Sequence, residues 1–332
     1  MSAELKRRSF IALLGSGAAA WPLAARAQPA KVWRIGFIAG GARPVPLDRS
    51  PYAGFLQGMR ELGYVEGRDF TMEWRFAEAR YELFPEFAAE FARLKVDVVV
   101  TTFAPAAHAM RQTNPSIPVV LAYSTDPVAQ GLVASLARPG GNITGLASAL
   151  DEIAAKQVDL LLAAVPKLTR LTLLTNPGNA ANQIVAKSVE AAARQAGVGL
   201  LQVRAESAQE IAGAFDTAMK DGAEAIIVAV DALFFGRRQQ LAELALTTRL
   251  PSIFPDREYA EAGGLMSYGN SLREFSRLSA TFIDKIFKGA KPTDLPIEQP
   301  TKFNLVINRK TADVLGLAIP PSLYIFADEV IE

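Results

Sequence analysis

The sequence predicts an α/β protein built as two lobes, each a parallel sheet flanked by helices. From Val32 onward, short runs rich in β-branched residues alternate with helical patterns, as in chains that build parallel sheets from strand–helix–strand units. The same alternation restarts near Leu171, which indicates a second lobe. The chain has 332 residues and 50% of them are hydrophobic, so it can bury a core in each of two lobes.

The first lobe is predicted from four strands and the helices between them. Ser50 and Pro51 suit the N-cap and first turn of a helix, and Gly63 suits its end. The mainly β-branched run 96–101 is typical of a strand buried on both faces. The predicted strands of this lobe are 33–38, 70–76, 96–101 and 118–123.

The second lobe repeats this order of elements. The segment 207–210 has the pattern of a capping box ahead of an amphipathic helix. A further helix is predicted over about 272–287. The predicted strands are 171–175 and 225–230, with shorter candidates at 252–254 and 264–268.

Composition excludes several classes of function. The chain has no cysteine and one histidine, so disulfides, thiolate metal sites, iron–sulfur clusters, cysteine nucleophiles and multi-histidine metal sites are ruled out. A Ser-His-Asp triad would depend on His108, which lies in an alanine-rich stretch where a structural histidine is expected. The net charge of +1 gives no electrostatic footprint for nucleic acid. No P-loop or dinucleotide fingerprint is present, so we expect no cofactor, no metal and no enzymatic activity.

The first 27 residues have the pattern of an export signal. Lys6-Arg7-Arg8-Ser9-Phe10-Ile11 precedes an apolar stretch of small residues, and Ala25-Arg26-Ala27 suits a cleavage site. The paired arginines are typical of twin-arginine export. The apolar stretch is shorter than the roughly 20 residues that span a bilayer, so we expect cleavage after Ala27, a periplasmic location and no stable membrane insertion.

Polar, small and aromatic residues follow the predicted strands. Because the carboxyl ends of parallel strands meet at one edge of a sheet, ligands bind there. Hydroxyls and amides suit a carboxylate, a carboxylate suits an ammonium group, and aromatic faces suit a flat side chain. The sequence therefore predicts a cleft for a small zwitterion. The candidate contacts at strand ends are Gly40, Thr102, Phe103, Ser124, Asp126, Asn176, Asn179, Asp231 and Tyr268.

Several of these candidates also suit a purely structural role. Asp126 suits a helix N-cap, and Thr102 and Ser124 suit turns at strand ends. Asn176 opens an Asn-Pro-Gly turn, which favours Asn179 as the contact.

Asp231 is the preferred partner for a ligand ammonium group. It follows an apolar strand and has no helix-opening proline beside it. Phe235 is a further candidate contact, although we expect at least one of Phe234 and Phe235 to belong to the core.

Motifs along nearly the whole chain resemble one family. They are the N-terminal segments 7–10 and 21–27, Gly63-Tyr64-Val65-Glu66-Gly67, Asp126-Pro127-Val128, Gly131-Leu132-Val133, Arg138-Pro139-Gly140-Gly141-Asn142-Ile143-Thr144-Gly145, the segment 262–269, and Pro300-Thr301-Lys302-Phe303 through Val306-Ile307-Asn308. The chain resembles the ABC-transporter substrate-binding family that includes tryptophan- and phenylalanine-type binders and has the type I periplasmic-binding fold.

The resemblance implies ligand contacts by position. Where amino-acid-binding relatives have Thr-Pro-Ala, this chain has Phe103-Ala104-Pro105-Ala106, and where they have Asp-Asn-Thr it has Asp231-Ala232-Leu233. The acid is retained while neighbouring polar groups are lost, which leaves both an amino acid and an aromatic acid open as ligand. The implied contacts are Thr102, Phe103, Ala104, Ala106, Ser124, Asp126, Asn176, Asn179 and Asp231.

The resemblance also implies the domain organisation and the partners. The chain would cross between lobes three times, with lobe 1 at 31–146 and 262–292 and lobe 2 at 147–261 and 293–332. A monomer would close on a small-molecule ligand, and an ABC permease with its ATPase would recognise the closed state. The alternatives are an exported sensing module for a membrane kinase or chemoreceptor and, less favoured by the composition, an exported enzyme.

Overall fold

A computed structural model describes residues 31–332, which form twelve strands and twelve α-helices. The predicted export signal and its cleavage site lie outside the described residues. The strands are β1 (Trp33–Ala39), β2 (Phe70–Phe76), β3 (Val98–Thr101), β4 (Val119–Leu121), β5 (Ile143–Gly145), β6 (Arg170–Thr175), β7 (Gly199–Arg204), β8 (Ala225–Val228), β9 (Ser252–Phe254), β10 (Met266–Gly269), β11 (Asn304–Asn308) and β12 (Glu329–Ile331). The helices are α1 (Ala53–Glu61), α2 (Phe84–Leu94), α3 (Ala104–Thr113), α4 (Leu150–Ala164), α5 (Ala181–Gln195), α6 (Glu210–Lys220), α7 (Ala232–Gly236), α8 (Arg238–Thr247), α9 (Arg257–Glu261), α10 (Leu272–Phe287), α11 (Arg309–Leu315) and α12 (Pro321–Phe326).

The first sheet has the strand order β2-β1-β3-β4-β5, and every neighbouring pair is parallel. All residues of β3 are buried, as its β-branched sequence predicts. Because side chains alternate between the faces of a strand, Val99 packs into one core cluster and Val98 and Val100 into another. Helices therefore cover both faces of this sheet.

One of the covering helices comes from late in the chain. Helix α10 begins at Leu272, where the Ser271 hydroxyl accepts from the Glu274 backbone N–H as an N-cap, and its apolar side packs on the first sheet and on α1. The Phe287 ring on α10 stacks on the Trp33 ring, with 4.2 Å between the two ring centroids. The predicted span of this helix, 272–287, is confirmed.

The second sheet has the strand order β12-β11-β10-β9-β8-β6-β7. Its neighbouring pairs are parallel except for β10 and β11, which run antiparallel. The prediction of an entirely parallel second sheet is therefore wrong at this pair. The predicted α/β architecture of two sheets flanked by helices is confirmed.

The structure divides the segment 262–292 between the two sheets. Strand β10 pairs with β9 and β11 in the second sheet, whereas the helix that follows it packs on the first. The expected boundary at residue 262 would have assigned both elements to lobe 1. Periodicity identifies a strand and a helix but carries no information on which sheet the strand joins.

Three chain segments pass between the sheets side by side. The Ala147 backbone N–H donates to the Glu298 carbonyl over 3.0 Å, which joins the first segment to the third. The Ser148 hydroxyl donates to Asn270 Oδ1 over 2.9 Å, which joins the first to the second. Hydrogen bonds thus tie the crossing segments together where a hinge between lobes must lie. We use "first lobe" for the first sheet with its helices and α10, and "second lobe" for the second sheet with its remaining helices.

Candidate ligand-binding site

A cavity of about 590 Å³ lies between the two lobes. Its walls come from the loops after β1, β3 and β4 of the first sheet and after β8, β9 and β10 of the second. The carboxyl ends of parallel strands thus meet a common space, as expected of ligand sites in open α/β sheets. The volume falls in the range of small-molecule pockets.

More than half of the predicted contacts line this cavity. They share positions at strand ends or at the start of the following helix, and they come from both lobes. These residues are Thr102, Phe103, Ala104, Ser124, Asn179, Asp231 and Phe235.

Five predicted contacts lie outside the lining, each for a local reason. Gly40 lies beneath the Phe103 ring, where a Cβ atom would come within 2.8 Å of that ring. Ala106 is buried in the first-lobe core on α3. The other three make structural contacts: Asp126 Oδ1 accepts from two backbone N–H groups, the Asn176 amide donates to Asp231, and the Tyr268 ring packs against Phe303.

Asp231 is surrounded by hydrogen-bond donors of the protein itself. Its Oδ1 accepts from Asn176 Nδ2 at 3.1 Å and from the Leu233 backbone N–H at 2.9 Å, so it caps α7 without a neighbouring proline. Its Oδ2 accepts from Asn179 Nδ2 at 2.9 Å and from the Tyr81 hydroxyl at 3.0 Å. Both oxygens are occupied, and the side chain is 3% exposed.

The hydrogen bond from Tyr81 joins the two lobes. Tyr81 packs in the first-lobe core beside Phe84 and Phe103, whereas Asp231 follows a strand of the second sheet. Burial and the Asp231 charge together raise the pKa of the Tyr81 hydroxyl, which therefore stays protonated as a donor. The structure accordingly shows the lobes held together across the cavity.

Sequence reasoning missed a second carboxylate in the cavity, Asp256. Pro255 and Asp256 follow the predicted strand 252–254, so the strand-end rule applied to the other loops would have found them. Asp256 lies at the N-cap position of α9 but makes no side-chain capping hydrogen bond. Among the described residues, none donates a hydrogen bond to its carboxylate or forms an ion pair with it.

Asp256 has a perturbed pKa. Burial, with a smaller contribution from the Glu258 charge, raises the pKa of Asp256 well above its ordinary value. Its charge also contributes, after burial, to the raised pKa of Tyr52 and to that of Tyr123, which rises to about 12. Asp256 is thus a half-buried lining residue whose charge interacts with two tyrosine hydroxyls.

Aromatic and apolar groups form much of the remaining wall. Tyr52, Phe103, Tyr123 and Phe235 all line the cavity. The Arg238 guanidinium lies 5.2 Å from the centre of the Phe235 ring, and its Nη1 donates to the Phe235 carbonyl over 3.0 Å. Such a wall suits a small ligand with a flat, apolar body and a few polar groups.

Some of the polar contacts that sequence reasoning missed come from segments without a strand-end signal. Gln130 accepts from the Ser124 hydroxyl at 2.9 Å, and Gln157 on α4 donates to the Tyr268 carbonyl at 2.8 Å. The missed polar lining residues also include Arg43, Ser148, Glu258 and Asn270, whereas Thr125 belongs to the strand-end segment 124–126.

The single histidine has a structural environment. His108 Nε2 lies 2.9 Å from the Gln130 carbonyl and its Nδ1 lies 3.0 Å from Arg111 Nη2. Within residues 31–332, no cluster of three or more acidic or histidine side chains is placed to hold a metal ion. No helix in that range is long and apolar enough to cross a bilayer.

Two sheets joined by three crossing segments around a ligand-sized cavity define a two-lobed solute-binding protein. Residues 46–331 match the family model for ABC transporter substrate binding proteins, and the chain belongs to that family. The predicted family is thereby confirmed.

Known proteins of this fold match most of the chain. The ABC domain from Streptococcus pneumonia, solved in complex with L-Trp, has a TM-score of 0.83 and 26% identity, and the match covers 91% of this chain and 100% of that one. A conserved domain protein from Vibrio cholerae has a TM-score of 0.84 and 24% identity, covering 90% and 100%. A tyrosine-binding protein of Clostridioides difficile is 22% identical over 83% of this chain and 80% of its own length.

Proposed function

We propose that this protein is the periplasmic receptor of an ABC importer and that it captures a small aromatic amino acid or aromatic acid. The observation that carries the proposal is the cavity of about 590 Å³, which takes aromatic and polar wall residues from both lobes. The similar proteins named for L-Trp and tyrosine support the same ligand class.

Binding would act through closure of the lobes. A ligand that contacts walls from both lobes stabilises the closed arrangement over an open one by the difference in its contacts. The Tyr81–Asp231 hydrogen bond spans the cavity and exists only when the lobes are together. A permease and its ATPase would then recognise the closed surface, while the receptor itself performs no chemistry.

The proposal includes the route and the state of the protein. The twin-arginine pattern at Arg7 and Arg8 would direct export, with cleavage after Ala27. The mature protein would act as a monomer, with lobe 1 at the first sheet and α10 and lobe 2 at the second sheet.

Isothermal titration of ligand-stripped protein, residues 28–332, tests this function. The panel contains L-tryptophan, L-tyrosine, L-phenylalanine, indole-3-propionate and 3-(4-hydroxyphenyl)propionate. Ala104→Trp fills the cavity wall, and Ala191→Trp places the same side chain on the exposed face of α5 as a control. We expect at least one compound to bind, with binding lost in Ala104→Trp and kept in Ala191→Trp.

Two results would contradict the proposal. A folded wild-type protein that binds no member of the panel would remove the ligand class. Equal binding by both tryptophan variants would show that the ligand occupies another site. Small-angle scattering with and without a bound compound gives an independent measure of lobe closure.

A further inference from the structure

The cavity holds two aspartates with different surroundings. Asp231 accepts four hydrogen bonds from the protein, two at each oxygen, as a carboxylate built into the framework does. Asp256 has no donor and no cation among the described residues, although it faces the same cavity. Asp256 is half-buried, and a ligand that fills the cavity would cover it further. Because enclosed carboxylates are normally hydrogen-bonded or paired, the ligand is the natural source of its partner.

A second polar group in the cavity also lacks a satisfied environment. The Thr102 hydroxyl is buried and lines the cavity wall. It approaches the Tyr52 hydroxyl and slightly opposes the rise in the Tyr52 pKa, but this approach falls short of hydrogen-bond geometry. In the part of the chain that the structure describes, Thr102 Oγ1 has no other partner. Thr102, Tyr52 and Asp256 all line the same cavity, and both Thr102 and Asp256 interact with Tyr52.

The surroundings of Asp256 match the chemistry of a positively charged nitrogen. A carboxylate supplies the counter-charge, and the aromatic rings of Tyr52 and Tyr123, a residue type that attracts cations, line the same cavity. The two basic side chains of the lining are engaged elsewhere: Arg238 binds the Phe235 carbonyl, and Arg43 lies 5.9 Å from the centre of the Phe76 ring.

We propose that Asp256 binds a cationic nitrogen of the ligand, an ammonium group in an amino acid or amine, and that Asp231 is a framework residue which holds the lobes together. This assignment rests on the receptor function proposed above. It selects, within that function, ligands that carry an amine over aromatic acids that lack one.

Matched probes separate the charged groups of the ligand. L-tyrosine carries both an ammonium and a carboxylate, tyramine carries only the ammonium, and 3-(4-hydroxyphenyl)propionate carries only the carboxylate. L-tryptophan, tryptamine and indole-3-propionate form the second set. The readout is the dissociation constant of the acid-only probe divided by that of the amine-bearing probe of the same set. A general loss of lobe closure weakens both probes alike and leaves this ratio unchanged.

The variants are Asp256→Asn, Asp231→Asn and, as a control, Asp216→Asn. In the wild type, the amine-bearing probes are expected to bind about tenfold or more tightly than the acid-only probe, the scale of one hydrogen bond to a charged group. Asp256→Asn should abolish this preference. Asp231→Asn should weaken the probes of a set alike and keep the ratio. Asp216→Asn makes the same change on the exposed face of α6, outside the cavity, and should also keep it.

Folding of each variant is checked by thermal unfolding, and Asp256→Ser replaces Asp256→Asn if the latter fails to fold. Asp256→Glu should retain the preference for the amine. An unchanged ratio in Asp256→Asn, or a ratio that disappears in Asp231→Asn instead, would overturn the assignment and leave the receptor function standing. Tighter binding of the acid-only probes than of the amine-bearing probes by the wild type would also overturn the assignment of Asp256 and leave the receptor function standing. Silence of the folded wild type toward all six probes would remove both proposals together.

Discussion

The sharpest test of the fold concerns the contact between α1 and α10. A Cβ atom on Gly54 would lie 2.0 Å from the Arg273 carbonyl oxygen, and one on Gly58 would lie 2.3 Å from the Arg277 carbonyl oxygen. Two glycines one helical turn apart on α1 thus allow the backbones of two helices to touch. Any side chain at these positions must push the helices apart.

The effect of Gly54→Ala can be worked from this geometry. Contact between a carbon and an oxygen atom needs more than 3 Å, so the helices would have to separate by about 1 Å at this point. Overpacking of this kind costs about 1–3 kcal/mol and here acts on backbone, so we take the upper end. Alanine returns about 1 kcal/mol through its helix propensity. The expected net loss in the free energy of unfolding is about 2 kcal/mol.

Urea titration followed by tryptophan fluorescence measures this loss of stability in the first lobe, which contains both helices. The described residues place Trp33 against Phe287 of α10 and Trp74 against Phe37, so both rings report on the first lobe. Gly213→Ala is the matched control, because it makes the same change inside α6, where no heavy atom of residues 31–332 beyond the local helix backbone lies within 4 Å of the new Cβ. It should raise stability by about 0.5–1 kcal/mol. A Gly54→Ala protein as stable as the wild type would refute the reasoning.

Two further predictions concern the cavity of the ligand-free protein. Because the folded state holds the Asp256 proton more tightly than the unfolded chain, the stabilisation linked to this proton is complete below pH 3.8 and is lost as pH rises through the raised pKa. The free energy of unfolding of Asp256→Asn should therefore exceed that of the wild type by an amount that grows from pH 4 to pH 7. The full difference is about 1.4 kcal/mol for each unit by which folding raises the Asp256 pKa. Chemical denaturation measures it, and a difference that does not change with pH would contradict this prediction. Tyr81→Phe removes the hydrogen bond to Asp231 across the cavity and should weaken ligand affinity roughly three- to tenfold in titration calorimetry. Tyr324→Phe makes the same change beside the second-lobe core and should leave the affinity unchanged. Equal affinities of Tyr81→Phe and the wild type would show that the Tyr81 hydrogen bond adds nothing to closure.

The alternation of strands and helices could be predicted from the sequence because it depends on local patterns. Buried strands such as β3 carry β-branched runs, and the amphipathic α10 shows its helical period directly. Helix starts were less predictable. Ser50 donates to the Leu47 carbonyl instead of capping a helix, and α1 begins only at Ala53. At α6 the Glu210 carboxylate accepts from the Glu206 backbone N–H, so the expected capping box with Ser207 does not form.

The candidate site was predictable only as far as it follows strand ends. That rule found Thr102, Ser124 and Asp231, but it could not show that protein donors fill both oxygens of Asp231, because Tyr81 lies 150 residues away in the chain. Hydrogen-bond saturation is a property of the assembled lobes. The same limit explains why β10 was assigned with α10, although hydrogen bonds to β9 and β11 place it in the other sheet.

The late position of α10 has a consequence for the order of events during synthesis. The first five strands leave the ribosome long before Leu272–Phe287, yet the apolar face formed by Ile35, Phe37 and Phe55 is covered by that helix. The first lobe must therefore wait, with this face uncovered, until almost the whole polypeptide has been made, and contacts between such distant segments form slowly. Folding of the first lobe can then be completed only when synthesis of the chain is nearly finished.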